Sequence, residues 1–278
     1  MGYTLGIDVG GSATKIVGFT ENKDVAGMLQ VKAADQVTSM YGAIGRFSHE
    51  YGVPLGDITQ IVLTGVGASF FDDDIYGIPT EKVDEFRAIG YGGLRLAGMA
   101  EAYVVSMGTG TAFVRASEAG IAHIGGSGVG GGTLLGLSSI MAFKTDIESI
   151  LALAEDGKIE NVDLLVGDIF KADIPSLPAH ATAANFGKVK STASEADFAI
   201  GAINMIVQTI GMLAVFAARN DAIKDIVLIG NLTTLPQARG TFEAIGAMHG
   251  ARFTIPPNAV FATAIGAAEW HFKQAAGL

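Results

Sequence analysis

The chain has 278 residues, which is enough for one large domain or two smaller lobes. Hydrophobic residues make up 49% of it and charged residues 17%, a composition that excludes a disordered chain. The net charge of −10 argues against nucleic acid or an anionic membrane as a partner. The lack of cysteine excludes disulfides, thiolate zinc sites and iron–sulfur clusters. Because Asp8 interrupts the first apolar segment, no signal peptide is indicated, and we expect a cytoplasmic protein.

The first hundred residues predict a sheet followed by helices. Residues 3–9, 14–20 and 25–31 are apolar runs separated by short turns, which is typical of an antiparallel meander. Asp35 is placed to cap a helix that runs to about Tyr51. A strand over 60–64 follows, then a short strand over 82–86 and a helical stretch over 87–100.

The same order of elements restarts near residue 103. Strands over 103–107, 112–116 and 121–124 surround a second glycine turn at 108–111. A glycine run over 125–132 then precedes an apolar helix, and a strand over 225–229 and a final helix after residue 258 close the chain. This internal echo predicts two related lobes, 1–102 and 103–278, around a cleft.

One segment is apolar enough to raise the question of a membrane. Residues 198–218 carry no charge and would be long enough to span a bilayer. Asn204 and Gln208 lie in its middle, however, and Ser194 and Glu195 are typical of the start of a helix in water. We therefore predict a helix that is buried in a core or a subunit interface, and no membrane.

The first glycine turn carries residues suited to phosphate binding. Backbone N–H groups of a glycine turn can surround phosphate oxygens, and a carboxylate beside them can hold Mg²⁺ or its water. The alternative is an ordinary glycine hairpin with a surface lysine. The candidate residues for a nucleotide are Asp8, Gly10, Gly11, Ser12, Thr14 and Lys15, with Asp8 also the candidate metal ligand.

Three further loops repeat this chemistry. The turn at Thr109 and Gly110 could face the first one across the cleft and clamp a phosphate chain. The run Gly128, Val129, Gly130, Gly131 and Gly132 would present amides at a helix N-terminus, where an anion or a ribose would bind. A G-x-G-x-x-G spacing in this run is weak support for a dinucleotide site, because antiparallel hairpins precede it. Gly230 and Asn231 end a strand where a base could lie, although a plain turn is equally compatible.

Glu85 is the candidate general base. A carboxylate at a strand end next to Phe86 would be partly desolvated, which raises its pKa and suits it to deprotonate a hydroxyl. The alternative is a solvated charge beside Asp84. The five histidines show no metal-ligand spacing.

Taken together, the loops resemble those of the sugar kinase, Hsp70 and actin superfamily, and within it the type II pantothenate kinases. The segment around Glu85, Phe86, Ala88 and Gly90 resembles the part of that family that carries the catalytic glutamate. Residues 129–137, 161–170 and 182–187 resemble further family segments. The resemblance implies an α/β, two-lobed actin-like ATPase (ribonuclease H-like) fold, with duplicated lobes around a nucleotide cleft.

The resemblance also implies an activity. It is transfer of the γ-phosphoryl group of ATP to the primary hydroxyl of pantothenate, the first step of coenzyme A biosynthesis, with ATP and Mg²⁺ as cofactors. Glu85 would be the base, Asp8 would serve Mg²⁺, and the glycine loops would hold ATP. The helix near 195–219 would form a homodimer interface.

One departure from the family bears on the acceptor. His123 stands where an arginine is expected on the substrate side, so His123 and Arg87 become the candidate substrate-binding residues, with Arg115 a further cation that could compensate. Pantetheine, which lacks the carboxylate, or a sugar is the alternative acceptor. A non-catalytic ATP-binding regulator is the alternative class, whereas an iron–sulfur dehydratase activator is excluded by the lack of cysteine.

Overall fold

The computed structural model describes residues 2–33, 35–142, 144–170 and 178–277. The chain begins with a five-stranded mixed sheet in the order β3-β2-β1-β4-β5. The first three strands form the antiparallel meander predicted from the sequence, and β4 and β5 run parallel to β1. The elements are β1 (Tyr3–Val9), β2 (Ala13–Phe19), β3 (Val25–Lys32), α1 (Gln36–Tyr51), β4 (Ile58–Thr64), β5 (Thr80–Lys82) and α2 (Glu85–Ala97).

A second five-stranded sheet repeats this plan in the order β12-β11-β6-β7-β8. Here β6, β7 and β8 form the antiparallel meander, and β11 and β12 run parallel to β6. The elements are β6 (Glu101–Met107), β7 (Thr111–Ser117), β8 (Gly120–Ser127), α3 (Gly131–Met141), α4 (Ile147–Ala154), β9 (Leu164–Leu165), α5 (Val166–Ile169), β10 (Thr182–Ala184), α6 (Glu195–Ala218), β11 (Asp225–Ile229), α7 (Pro236–His249), β12 (Arg252–Thr254) and α8 (Ala262–Ala275). The two-lobed α/β fold predicted from the sequence is confirmed.

Helices cover both faces of the first sheet. Ile7 and Val9 pack with Met40 and Phe47 of α1 on one face. On the other face α8, from the end of the chain, lies against β1, where a β-carbon at Gly6 would stand 2.1 Å from the Ala264 carbonyl oxygen. The C-terminal helix therefore packs on the N-terminal sheet.

Helices α2 and α8 cross with their backbones in contact. A β-carbon at Gly92 would stand 1.8 Å from the Ala262 carbonyl oxygen, and one at Gly266 would stand 1.8 Å from the Ala88 carbonyl oxygen. On its other side α2 packs against the second sheet, where Ile89 joins a cluster with Val104 and Val114 of that sheet. These two helices therefore form the layer that holds the two sheets together. A division of the chain near residue 102 stays a prediction.

Helix α6 is the core helix of the second lobe. It meets the length and hydropathy criteria for a membrane span, but half of its most apolar window is buried inside the protein. Its buried face packs against α3, α4 and α7. Asn204, in the middle of the helix, donates to the fully buried carboxylate of Asp163, which also accepts from Thr182, Asn185 and the backbone N–H of Phe186. The polar residues of α6 are thus satisfied inside the protein.

Two element predictions were wrong. The strand predicted over 82–86 ends at Lys82, because the Asp84 side chain accepts from the Arg87 N–H and starts α2 at Glu85. The glycine run predicted as a loop over 125–132 belongs largely to ordered elements, since β8 extends to Ser127 and α3 begins at Gly131. Helix α7 was not predicted.

The close crossing predicts that α2 does not tolerate a methyl group at Gly92. We expect Gly92→Ala to lower the free energy of unfolding by about 1–3 kcal/mol, because a β-carbon there overlaps the Ala262 carbonyl. Gly45→Ala is the matched control: Gly45 is an exposed position of α1 with open space around it, so alanine should raise stability by up to roughly 1 kcal/mol. Urea denaturation measures both, and equal effects of the two substitutions would contradict the close crossing.

The start of α6 predicts a pH dependence of stability. Burial alone would raise the pKa of Asp197, but hydrogen bonds from the backbone of Ser194 and Lys158 and from Asn161 outweigh it and lower the pKa to about 2. A lowered pKa in the folded state stabilises the protein above the ordinary value of 3.8, and this contribution is lost as the pH falls toward 2. We therefore expect Asp197→Asn to be less stable than the wild type at pH 7, with a gap that narrows below pH 4 in thermal melts. A gap independent of pH would contradict this role.

Candidate active site

A row of polar side chains lies at the carboxyl edge of the first sheet. Asp8 of β1 pairs in register with Lys15 on β2 and with Thr64 on β4. Register partners share a face, and this is the α8 face because Gly6, two residues before Asp8, contacts α8. The Lys15 Nζ atom lies 3.7 Å from the Asp8 carboxylate, and only about a tenth of either side chain is exposed.

The electrostatics of this row favour a cationic or polar ligand. Burial raises the pKa of Asp8, and the charge of Lys15 offsets this only in part. An ion pair inside a protein regains its desolvation cost only with good geometry and further hydrogen bonds, and 3.7 Å is a loose contact. Asp8 therefore keeps the capacity to bind another positive group.

Glu85 is brought to this row by the end of β5. The Val83 N–H donates to the Leu63 carbonyl, which continues the parallel pairing, so Glu85 follows two residues later beside the end of β4. Burial raises the pKa of Glu85, and the negative charges of Asp8 and Asp84 raise it further against the opposing charge of Lys15. The sequence placed this residue at a strand end, whereas the structure places it in the first turn of α2.

The turn between β1 and β2 is closed by its own backbone. The Gly10 N–H donates to the Ala13 carbonyl at 3.0 Å, and Gly11 and Ser12 form the exposed tip. The expectation that Thr14 adds a phosphate donor is wrong in this structure. Thr14 pairs with Val9, so its fully buried side chain points to the α1 core and away from Asp8.

An aromatic stack flanks Glu85. The rings of Phe86 and His123 are stacked with their centroids 3.8 Å apart, and both belong to the contact between α2 and β8. Arg87 is exposed in the same first turn of α2. Arg115, by contrast, is bound to Asp221 at 2.6 Å and lies opposite Tyr103, on the other face of the second sheet from His123. The structure thus stacks His123 on Phe86, the residue after Glu85, and places Arg115 on the opposite face of the second sheet, paired with Asp221.

The two glycine loops of the second lobe are interlocked. The N–H groups of Gly131 and Gly132 donate to the carbonyls of Gly108 and Thr109, and the Gly130 N–H donates to the Thr133 hydroxyl. A β-carbon at Gly130 would stand 2.6 Å from the Thr109 carbonyl oxygen. The expectation that the amides of Gly130, Gly131 and Gly132 are free for an anion is therefore wrong in this conformation, since the protein itself occupies them. Gly128 and Gly110 remain at the surface and in partial contact with solvent.

The third predicted loop lies beside this pair. Gly230, at the carboxyl end of β11, has a φ of +92°, and a β-carbon there would stand 2.6 Å from the Met107 carbonyl oxygen. Leu232 follows two residues later, and a β-carbon at Gly131 would stand 3.6 Å from its Cδ2 atom. Asn231 therefore stands next to the interlocked loops, at the carboxyl edge of the parallel strands β6 and β11, which is where ligands bind in α/β sheets.

Sequence reasoning missed two residues of the first sheet. Thr64 lies between Asp8 and the end of β5, and Gly65 follows it with a φ of +87°. A β-carbon at Gly65 would stand 2.6 Å from the Asp8 carboxylate, so only glycine lets the chain pass this closely. A Thr-Gly pair at a strand end is the signal that could have found them.

A magnesium ion would depend on the nucleotide for most of its ligands. Within the described residues no group of three or more His, Asp or Glu side chains could hold a metal ion. Asp8, with its raised pKa and single loose ion pair, fits a cation that is bound by one carboxylate together with phosphate oxygens and water, as Mg²⁺ usually is.

The two echoing sheets, the glycine hairpin that opens each of them and the carboxylates at their edge define a protein of the actin-like ATPase and sugar kinase fold. Solved structures share it. The activator of a 2-hydroxyisocaproyl-CoA dehydratase from Clostridium difficile matches with a TM-score of 0.71 and 15% identity over 99% of this chain and 96% of its own. A ROK family glucokinase from Streptomyces griseus matches with a TM-score of 0.61 and 12% identity over 97% of this chain and 99% of its own. At these identities the likeness shows the fold alone.

The family is narrower than the fold. The family model called Fumble matches residues 101–243, and the chain belongs to the Fumble family. Two similar relatives are named "Type II pantothenate kinase". The protein of Staphylococcus epidermidis is 29% identical over 95% of this chain and 98% of its own length, and that of Staphylococcus aureus strain USA300 is 29% identical over 95% and 97%. The resemblance seen in the sequence is thereby confirmed.

Proposed function

We propose that the protein transfers the γ-phosphoryl group of ATP to the primary hydroxyl of pantothenate, the first step of coenzyme A biosynthesis. The observation that carries the proposal is the convergence of Glu85 on Asp8 and Lys15, two residues held by neighbouring strands. The acceptor is taken from the relatives, which are named for it and align along nearly the whole chain.

Glu85 is the general base of this proposal. Its pKa is raised by burial and by the charges of Asp8 and Asp84, which strengthens it as a proton acceptor. In phosphoryl transfer the protein contributes mostly by alignment and charge neutralisation, so one aligned base and one cation at the phosphates are the parts required. Glu85 takes the proton of the acceptor hydroxyl as the oxygen attacks the γ-phosphorus.

The first lobe holds the phosphates of ATP. Lys15 offers its ammonium group beside Asp8, and Gly10, Gly11 and Ser12 offer the turn of the hairpin. Asp8 would hold Mg²⁺, which would supply neutralisation of the charge on the phosphates.

The second lobe holds the rest of the nucleotide. The hairpin at Thr109 and Gly110 and the run from Gly128 to Gly132 form one rigid surface, because their backbones bond to each other. Gly230 and Asn231 adjoin this surface and provide the close backbone approach that a planar base and a ribose require. These loops contribute to nucleotide binding through the shape of their surface and the Asn231 side-chain amide, and not through a row of free N–H groups.

The acceptor binds beside the stacked rings of Phe86 and His123. These rings form a flat wall next to Glu85, and Arg87 supplies the exposed cation nearest to it in sequence. A wall with one imidazole in place of an arginine binds a carboxylate less strongly, which makes pantetheine the second candidate acceptor. We further propose that the protein acts in the cytoplasm and binds neither nucleic acid nor membranes.

The decisive experiment is ADP release from ATP and Mg²⁺ with pantothenate, pantetheine and a panel of hexoses. We expect turnover on pantothenate, and Glu85→Gln should lower kcat by about 10²–10⁴-fold because the variant lacks the base. Glu81→Gln, four residues earlier on the exposed part of β5, is the matched control and should turn over as the wild type does.

The outcomes separate the alternatives. Turnover on pantetheine or a hexose alone would leave the nucleotide site and overturn the acceptor. A Glu85→Gln variant that binds ATP and retains full activity in its cellular role, with turnover on none of the acceptors, would favour an ATP-binding regulator.

We also propose a homodimer through α6. Leu213 and Phe216 are exposed on the uncharged part of this helix, residues 198–218, with 36% and 55% of their surface accessible. A stripe of partly exposed residues continues from them toward Met205. An apolar stripe on a helix that carries no charge over about five turns is typical of a subunit interface.

Sedimentation velocity tests the dimer. We expect the wild type to sediment as a dimer and the double variant with Leu213→Glu and Phe216→Glu as a folded monomer, because both side chains are exposed in the single chain. Leu55→Glu, at an equally exposed leucine of the first lobe, should stay dimeric. A monomeric wild type, or a double variant that remains dimeric, would refute the interface.

A further inference from the structure

The buried hydroxyl of Thr64 makes no hydrogen bond within the described part of the chain. Thr64 is fully buried, and its Oγ1 atom finds no hydrogen-bond partner within the described residues. A buried donor without a partner destabilises the folded state, so such a group in a folded protein calls for an explanation.

The position of Thr64 supplies one. Across the sheet the order is Lys15 on β2, Asp8 on β1, Thr64 on β4 and then the end of β5. Glu85 comes two residues after Val83, whose N–H makes the last hydrogen bond to β4. The Thr64 side chain shares the face of Asp8, because the two residues are register partners in parallel strands. Thr64 therefore stands between Asp8 and the end of β5, the strand that leads to Glu85.

Neighbouring groups leave this hydroxyl to a ligand. Asp8 is directed toward Lys15, and Gly65 approaches the Asp8 carboxylate so closely that no side chain can lie there.

We propose that Thr64 is a further binding residue, whose hydroxyl donates a hydrogen bond to an oxygen of the terminal phosphate of the bound nucleotide. The inference rests on the proposed function, since it takes the nucleotide from there. It goes beyond it by assigning the recognition of the third phosphate, which distinguishes ATP from ADP, to the strand between Asp8 and Glu85. Thr64 pairs with Asp8, whereas the predicted phosphate residue Thr14 does not.

Calorimetric titration of the full chain in Mg²⁺ tests this without turnover. A hydrogen bond to a charged group justifies an expected loss of about tenfold in the affinity of Thr64→Val for a non-hydrolysable ATP analogue. The affinity for ADP should change little, and Thr64→Ser, which keeps the hydroxyl, should bind the analogue nearly as the wild type does.

Thr14→Val is the matched control. Thr14 is equally buried, its hydroxyl is equally without a partner, and it lies on the opposite face of the same sheet. We expect this variant to bind both nucleotides as the wild type does. The comparison separates a loss of ligand contact from any general effect of replacing a buried threonine in this sheet.

The outcomes are distinct. If Thr64→Val binds the analogue as tightly as the wild type, or loses ADP and analogue affinity equally, or behaves as Thr14→Val does, the assignment of Thr64 is wrong and the proposed function stands. If the wild type binds neither nucleotide, the proposed function fails and the assignment fails with it.

Discussion

The backbone contact between α2 and α8 is the constraint on which the rest of the structure depends. Each helix presents a glycine to a carbonyl of the other, Gly92 to Ala262 and Gly266 to Ala88. Side chains at these positions would force the helices apart, and both sheets rest on this helical layer. Because α2 begins at Glu85, its place in the layer also sets where the proposed base stands relative to Asp8. The return of the C-terminal helix to the first sheet couples the two ends of the chain to the same site.

The first sheet contains buried polar groups that destabilise the fold. Two carboxylates with raised pKa values stand close to one lysine, and a buried hydroxyl beside them is unsatisfied. Such groups destabilise a fold when they are alone, and they persist where a ligand compensates them. The acids of the second lobe differ, because Asp163 and Asp197 each accept several hydrogen bonds and thereby hold α6 in place. This contrast between Asp8 and Glu85, whose pKa values are raised, and the hydrogen-bonded Asp163 and Asp197 supports the functional role that we propose for the first pair.

Much of the fold could be predicted because its signals are local. The meander of β1 to β3 follows from apolar runs between short turns, and α1 follows from its cap at Asp35 and its helical spacing. The start of α2 could not be predicted in the same way. Lys82 to Phe86 fits a strand or a helix start, and the Asp84 cap decides it only with the rest of the helix in place. The sequence likewise put Thr14 with Lys15, but the face of a side chain depends on its register partner, which is a long-range fact. Thr64 was missed because a threonine in a buried strand is ordinarily a core residue.

The glycine run from Gly128 to Gly132 shows that a glycine-rich motif does not reveal which group its backbone contacts. A glycine allows a backbone to approach another group closely, and the sequence does not say whether that group is a ligand or another part of the chain. At Gly130, Gly131 and Gly132 the partners are the carbonyls of Gly108 and Thr109, so the glycines serve first to join two loops. The joined loops then have little freedom to rearrange, and in the proposed function the nucleotide meets them as a fixed surface. We therefore assign the proposed discrimination between phosphate chains of different length to the first lobe, where the Lys15–Asp8 pair and the Thr64 hydroxyl lie. The two lobes are alike in topology and unlike at their sheet edges: the second has two glycine loops joined by backbone hydrogen bonds, and the first has a buried ion pair with the unpartnered Thr64 hydroxyl on the same face.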